Sequence, residues 1–196
     1  MIKLISKKIA DYLCVSENNM ESYELYEYAV YIVLSAVFHI LTTIVIGVCF
    51  NLVFESVLFY LSFIAIRKFA GGYHSKTPAM CYVFSIIMTV SVLILLKVLV
   101  MYNNLYLQIF TFMCGILSVI VIIILSPLDN ENNLLGDKEK HIYKIISIIN
   151  TCVLFIIASV IIIFDLLSIG LSIYFGILIS ALVLIMRKIQ ASLEKS

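Results

Sequence analysis

The sequence predicts an all-α fold, a polytopic bundle of six membrane-crossing helices preceded by an amphipathic helix, on three observations. First, 63% of its 196 residues are hydrophobic and only 13% are charged, where a soluble domain carries about a quarter; the mean hydropathy is +1.15. Second, the apolar residues gather into three windows, 29–66, 79–128 and 145–186, each too long for one crossing of about 20 residues. Third, the basic residues collect at alternate breaks between helices, as they do when those breaks share one side of a bilayer.

The elements follow in chain order. Residues 1–27 set Lys3, Lys7, Lys8 and Asp11 among Ile2, Leu4, Ile5, Ile9 and Leu13, which suits a helix lying on the membrane surface; a solvated helix explains the pattern equally well. Window 29–66 would extend about 57 Å as one helix, so Asn51 is its natural break and two helices are expected. Tyr102, Asn103 and Asn104 divide the second window with a polar turn and an interfacial aromatic. Asp165 divides the third, with Gly170 relaxing the chain beyond it. Six crossings place both termini, the loop 67–78 and the loop 129–144 on one side. That side holds 12 of the 13 Lys and Arg residues, which makes it the cytosol by the positive-inside rule. Lys97 is the exception, close enough to the outer end of its helix to snorkel.

Composition also excludes. A net charge of +1, with the basic residues dispersed, argues against nucleic acid as partner. The N-terminus lacks the three-part pattern of a secretory signal. Five cysteines, at 14, 49, 81, 114 and 152, are odd in number and unpaired in spacing, so no disulfide framework is expected. The whole of 1–196 reads as a single integral membrane domain whose partner is the lipid bilayer. A homodimer suits so small a bundle, although no Gly-xxx-Gly seam marks one.

Chemistry concentrates in residues 67–81, Arg67-Lys68-Phe69-Ala70-Gly71-Gly72-Tyr73-His74-Ser75-Lys76-Thr77-Pro78-Ala79-Met80-Cys81. Thr77-Pro78 is a helix start, threonine capping free N–H groups and proline fitting the first helical position. Cys81 then falls in the first turn, where the helix N-terminus favours a thiolate, and the free N–H groups there could donate to an oxyanion. Gly71-Gly72 lets the backbone fold His74 back toward that thiol, and a histidine within reach of a cysteine is the minimal nucleophile with its general base. Bland readings stand beside this one. A loop histidine near a membrane is commonly just solvated, a cysteine at a helix start commonly just packs, and Arg67 and Lys68 commonly anchor a helix to head groups.

Arg67, Gly71-Gly72-Tyr73-His74, Lys76-Thr77 and Cys81-Tyr82 together resemble the signature of the accessory gene regulator protein B (AgrB) family, bacterial membrane peptidases that mature quorum-sensing peptides. The resemblance implies that Cys81 and His74 are the catalytic pair, with Arg67, Gly71, Gly72, Lys76 and Thr77 supporting them. It implies a cysteine endopeptidase of the cell membrane, acting at the cytosolic face on an AgrD-type propeptide. Its tail would be cut off and the remainder closed, through a thioester on the enzyme, into a thiolactone or lactone. The second inner loop, from Pro127 through Lys138, Glu139, Lys140, His141 and Lys144, also resembles the family, whose members carry a basic run here. Lys138 and Lys140 are candidates to contact the acidic tail, although Asp129, Glu131, Asp137 and Glu139 make a plain connector an equal reading. Glu27 and Tyr31, with Glu24, sit at the inner start of the first crossing helix as candidates for substrate contact or for orienting His74. Family members often carry an acid or amide where Tyr31 aligns, so this sequence departs from them there.

Rival classes remain. A small peptide transporter or export permease needs no more than six helices, but the spans show few buried charges beyond His39. No cofactor or metal is expected, since His74, Cys81 and His141 lack a usual zinc spacing. A non-catalytic scaffold is compatible with composition alone.

Overall fold

The computed structural model describes residues 5–9, 11–12, 23–71, 78–102, 104–128 and 136–193. Seven helices and short turns account for these residues, and no strand occurs among them. They are α1 (residues 5–9 and 11–12), α2 (Tyr23–Phe50), α3 (Val53–Ala70), α4 (Pro78–Met101), α5 (Leu105–Leu125), α6 (Asp137–Ile163) and α7 (Leu167–Leu193). The chain forms two units, Met1–Thr42 and Thr43–Ser196. In the first, Ile5, Ile9 and Tyr12 of α1 are exposed apolar residues beside exposed Lys7, Lys8 and Asp11.

Five helices, α2, α4, α5, α6 and α7, are long and apolar enough to cross a bilayer, which is the composition of a multi-pass membrane protein. The sixth expected crossing, α3, is a helix of 18 residues, about 27 Å long. It carries Glu55 in its first turn and Arg67 and Lys68 in its last, so its apolar centre is flanked by charge at both ends.

The polar interruptions end helices by one geometry. Asn51 adopts a φ of 55° and Asp165 a φ of 62°, left-handed values that Asn and Asp tolerate better than most residues. Behind Asn51, its N–H donates to the Val48 carbonyl (3.1 Å) and that of Leu52 to Gly47 (2.8 Å). Behind Asp165, the N–H groups of Asp165 and Leu166 donate to Ile162 (3.0 Å) and Ile161 (3.3 Å). Both are Schellman ends, in which a left-handed residue turns two N–H groups back onto the last free carbonyls. Asn104 begins α5 differently, its side chain accepting from the Tyr106 N–H at 3.0 Å.

Three expected boundaries shift. The surface helix expected over 1–27 gives way to α2 at Tyr23. The loop expected over 67–78 is still helix through Ala70, and helix again from Pro78. The loop expected over 129–144 is helical from Asp137, where the Glu139 carboxylate accepts from the Gly136 N–H at 3.1 Å. Hydropathy marks where bilayer-compatible sequence begins, whereas a capped helix continues into polar residues whose backbone it satisfies equally well.

The core of the second unit is built around α7, which packs most extensively on α3 and then on α6 and α5. In a bilayer, lipid tails are as apolar as leucine, so helices associate where small residues let backbones approach. Ser172, Gly176 and Ser180, spaced one turn apart, are all buried on α7. A Cβ at Gly176 would run into the Ser62 Cβ and the backbone at Phe59 and Phe63. Gly170 is likewise pressed against Ile162 and the Ala158 carbonyl of α6. The seam hydroxyls bond back to their own helices, Ser62 to the Leu58 carbonyl (2.7 Å) and Ser180 to that of Gly176 (2.8 Å). Phe59, Ile66, Ala70, Leu96, Ile177 and Leu184 close the apolar cluster around them.

Candidate active site

Helix α3 ends at Gly71, whose φ of +79° lies where side-chain-bearing residues are strained and whose N–H donates to the Arg67 carbonyl at 3.1 Å. This stop leaves Arg67 in the last turn. Its guanidinium lies 5.4 Å from the ring centre of Phe63, one turn back, a cation–π geometry that fixes the direction of the long side chain. From there Nη2 reaches the sulfur of Cys81 at 4.0 Å, a long N–H···S contact to a weak acceptor. Cys81 stands in the first turns of α4, and its carbonyl accepts the Ser85 hydroxyl at 3.0 Å. A fixed positive charge thus rests against the cysteine of the sequence motif.

The two partners are held unequally. Ile66 and Ala70, on either side of Arg67, are both 0% exposed. On α4, no residue from Met80 to Met88 is buried, and Thr89 is the first buried one among the residues whose burial is described.

The last turns of α3 also meet two further elements. The Leu128 N–H donates to the Ala70 carbonyl at 3.1 Å, and the Leu128 carbonyl occupies the space that a Cβ at Gly71 would need. Only glycine therefore allows the chain after α5 to dock on the end of α3. Phe69 sets its ring against Tyr143 of α6, edge to face at 5.8 Å, and Asn150 of α6 donates to the Ala65 carbonyl at 3.1 Å. The start of α6, with exposed Lys138 and half-buried Lys140, is thereby tied to the same end of α3, since Lys140 is three residues before Tyr143.

Of the residues expected at the site, the structure brings Arg67 and Cys81 into contact and seats Gly71 one turn from Arg67. Lys138 and Lys140 stand on the first turns of α6 rather than on a loop. Glu27 and Tyr31 are half-buried residues of α2 in the first unit. Gly72, His74, Lys76 and Thr77 lie outside the described residues. Sequence reasoning missed Phe63, Leu128, Tyr143 and Asn150. Phe63 was open to it, being one helical turn before an arginine, and so was Asn150, a lone amide in an apolar run. Leu128 gave no signal, because it acts through its backbone.

A family model described as Accessory gene regulator B matches residues 6–185. A protein of Clostridium perfringens strain 13 named as AgrB-like protein 2 is 30% identical over 98 residues, half of this chain and 46% of that protein. An AgrB-like protein of strain SM101 is 27% identical over 141 residues, 70% of this chain and 64% of its own length. The chain thus spans about half to two thirds of the curated relatives it matches. No solved structure matches.

Proposed function

The chain belongs to the accessory gene regulator B family, and from that premise we propose that it is a membrane-embedded cysteine endopeptidase that cuts and cyclises an AgrD-type quorum-sensing propeptide. The observation that carries this reading is the contact between Arg67 and the sulfur of Cys81. A nucleophilic thiol needs its anionic form, and a guanidinium cannot lose its charge to the protein around it.

In this reading α3 completes six crossings, both termini face the cytosol, and the reaction runs at the inner leaflet. His74 takes the thiol proton of Cys81 as general base. The sulfur attacks the carbonyl at the end of the future ring, and the tetrahedral oxyanion is met by free N–H groups at the start of α4. Collapse breaks the peptide bond, His74 returns the proton to the leaving amine, and the tail departs. A thioester joins Cys81 to the remainder. A substrate cysteine or serine then attacks that thioester, its proton passes to the Cys81 sulfur, and a thiolactone or lactone leaves. No water is consumed in the ring-closing step, and a site shielded from bulk water favours it over hydrolysis. Gly71, Gly72, Lys76 and Thr77 support the catalytic pair in this reading. Lys138 and Lys140 receive the acidic tail.

The test is mass spectrometry of the propeptide co-expressed with variants. Cys81→Ser and His74→Ala should leave it uncut. Arg67→Gln should slow cutting about 10²-fold or more, the usual cost of removing one preorganised charge-stabilising donor. Normal processing by Cys81→Ser would refute the assignment.

A further inference from the structure

Helices α4 and α5 are consecutive and joined by a short turn, yet each packs against α7 more than against the other. The space this leaves is a cavity of about 340 Å³. Leu95 and Leu99 of α4 form one wall, Leu107 and Phe110 of α5 the other, and Phe175 and Leu178 of α7 the floor. Every lining residue lies within the three apolar helices long enough to cross a membrane. At about 30 Å³ per molecule, the volume would hold roughly eleven waters. The wall gives them little to bond, because its hydroxyls are already engaged, Thr111 with the Gln108 carbonyl at 2.9 Å and Tyr174 with Ser159 at 2.7 Å. A dry cavity of this kind takes an apolar guest.

One end of the cavity is different. A small neighbouring recess shares Leu99, Leu107, Thr111 and Leu171 with it and adds Asn104 and Gln108. Beside that end, Tyr102 and Tyr106 are strongly exposed, as aromatic residues are where hydrocarbon meets head groups. An apolar slot that turns polar at its interfacial end has the shape of an amphiphile. We propose that this slot between α4 and α5 binds one phospholipid, its acyl chain in the cavity and its polar head at the Asn104 and Gln108 end. The site rests on the reading that α4, α5 and α7 span the bilayer. It involves none of the residues assigned to peptide cleavage.

The chain contains no tryptophan, so a single one reports alone. Phe175→Trp places it among the residues that line the cavity, at a position only 7% exposed. Ile124→Trp places it on the outer face of α5, 67% exposed. Each full-length protein is reconstituted in vesicles of phosphatidylcholine brominated along one acyl chain. Fluorescence of the Ile124→Trp protein should be quenched strongly, and that of the Phe175→Trp protein at least half as strongly. Quenching in the Ile124→Trp protein alone would overturn the lipid site while leaving the membrane reading intact, and quenching in neither would overturn both. Native mass spectrometry gives a second measurement. The wild-type protein released from detergent micelles containing phosphatidylcholine should retain one phospholipid per chain, and Cys114→Phe, whose ring intrudes into the cavity, should retain markedly less. Equal retention by the two would also overturn the site.

Discussion

Helices α5 and α7 have nearly the same mean hydropathy, 2.6 and 2.5, but 17% of the apolar window is buried in the first and 67% in the second. Apolarity therefore does not decide which helix sits at the centre of this bundle. Small residues do. Ser172, Gly176 and Ser180 give α7 a flat face on which α3 can close, whereas α5 buries only Gly115, Ser118 and Ile122 and presents Ile109, Leu117 and Ile124 outward. In water the more buried helix is usually the more apolar one. In a bilayer, where tails compete with leucine on equal terms, close approach of backbones makes the difference.

Three substitutions would break or sharpen that contrast. The largest effect is expected from Gly176→Leu, whose side chain must displace Ser62 and the α3 backbone. Overpacking of this kind costs about 3 kcal/mol, read as a lowered midpoint of SDS-induced unfolding in mixed micelles. A midpoint equal to that of wild type would mean that α3 and α7 are not seated as described. A smaller loss, about 0.6 to 1.7 kcal/mol by the same measurement, is expected from Tyr174→Phe, which removes the membrane-depth hydrogen bond to Ser159. The smallest belongs to α5. Ile124→Ala on its outward face should stay within about 0.5 kcal/mol of wild type, and a larger loss would show that this face is covered by protein.

Helix ends were the most readable feature of the sequence, because an apolar run can be turned only by residues that tolerate left-handed backbone or cap an N-terminus. Asn51, Asp165 and Asn104 do this where the windows were divided. The outer limits were less readable: Asp137 starts α6 well before the apolar run begins, since a cap needs polarity that a bilayer forbids. Helix α3 shows the same ambiguity from the other side, its centre apolar and its ends charged.

At the site, the motif set Arg67 among the residues supporting Cys81 and Pro78 marked a helix start, both of them local signals, but the sequence paired Cys81 with His74 and gave no sign that the guanidinium touches the sulfur. The contacts of Ala70 and Gly71 with Leu128, and of Phe69 with Tyr143, depend on which distant helices pack together. Periodicity in a uniformly apolar chain says almost nothing about that. Gly71 illustrates the limit. Its presence suggested a hinge, whereas its left-handed backbone and the carbonyl pressed against it make it a fixed docking point.

The unequal anchoring of Arg67 and Cys81 has a mechanical consequence. The arginine is mounted on a post set firmly in the bundle, while the sulfur sits on a stretch of α4 whose side chains from Met80 to Met88 are half-buried or exposed, two turns short of buried Thr89. Any separation of the two groups would be taken up by half-buried side chains of α4 sooner than by the fully buried residues that flank Arg67. In the proposed reaction, room for the substrate between guanidinium and sulfur would come from the α4 side.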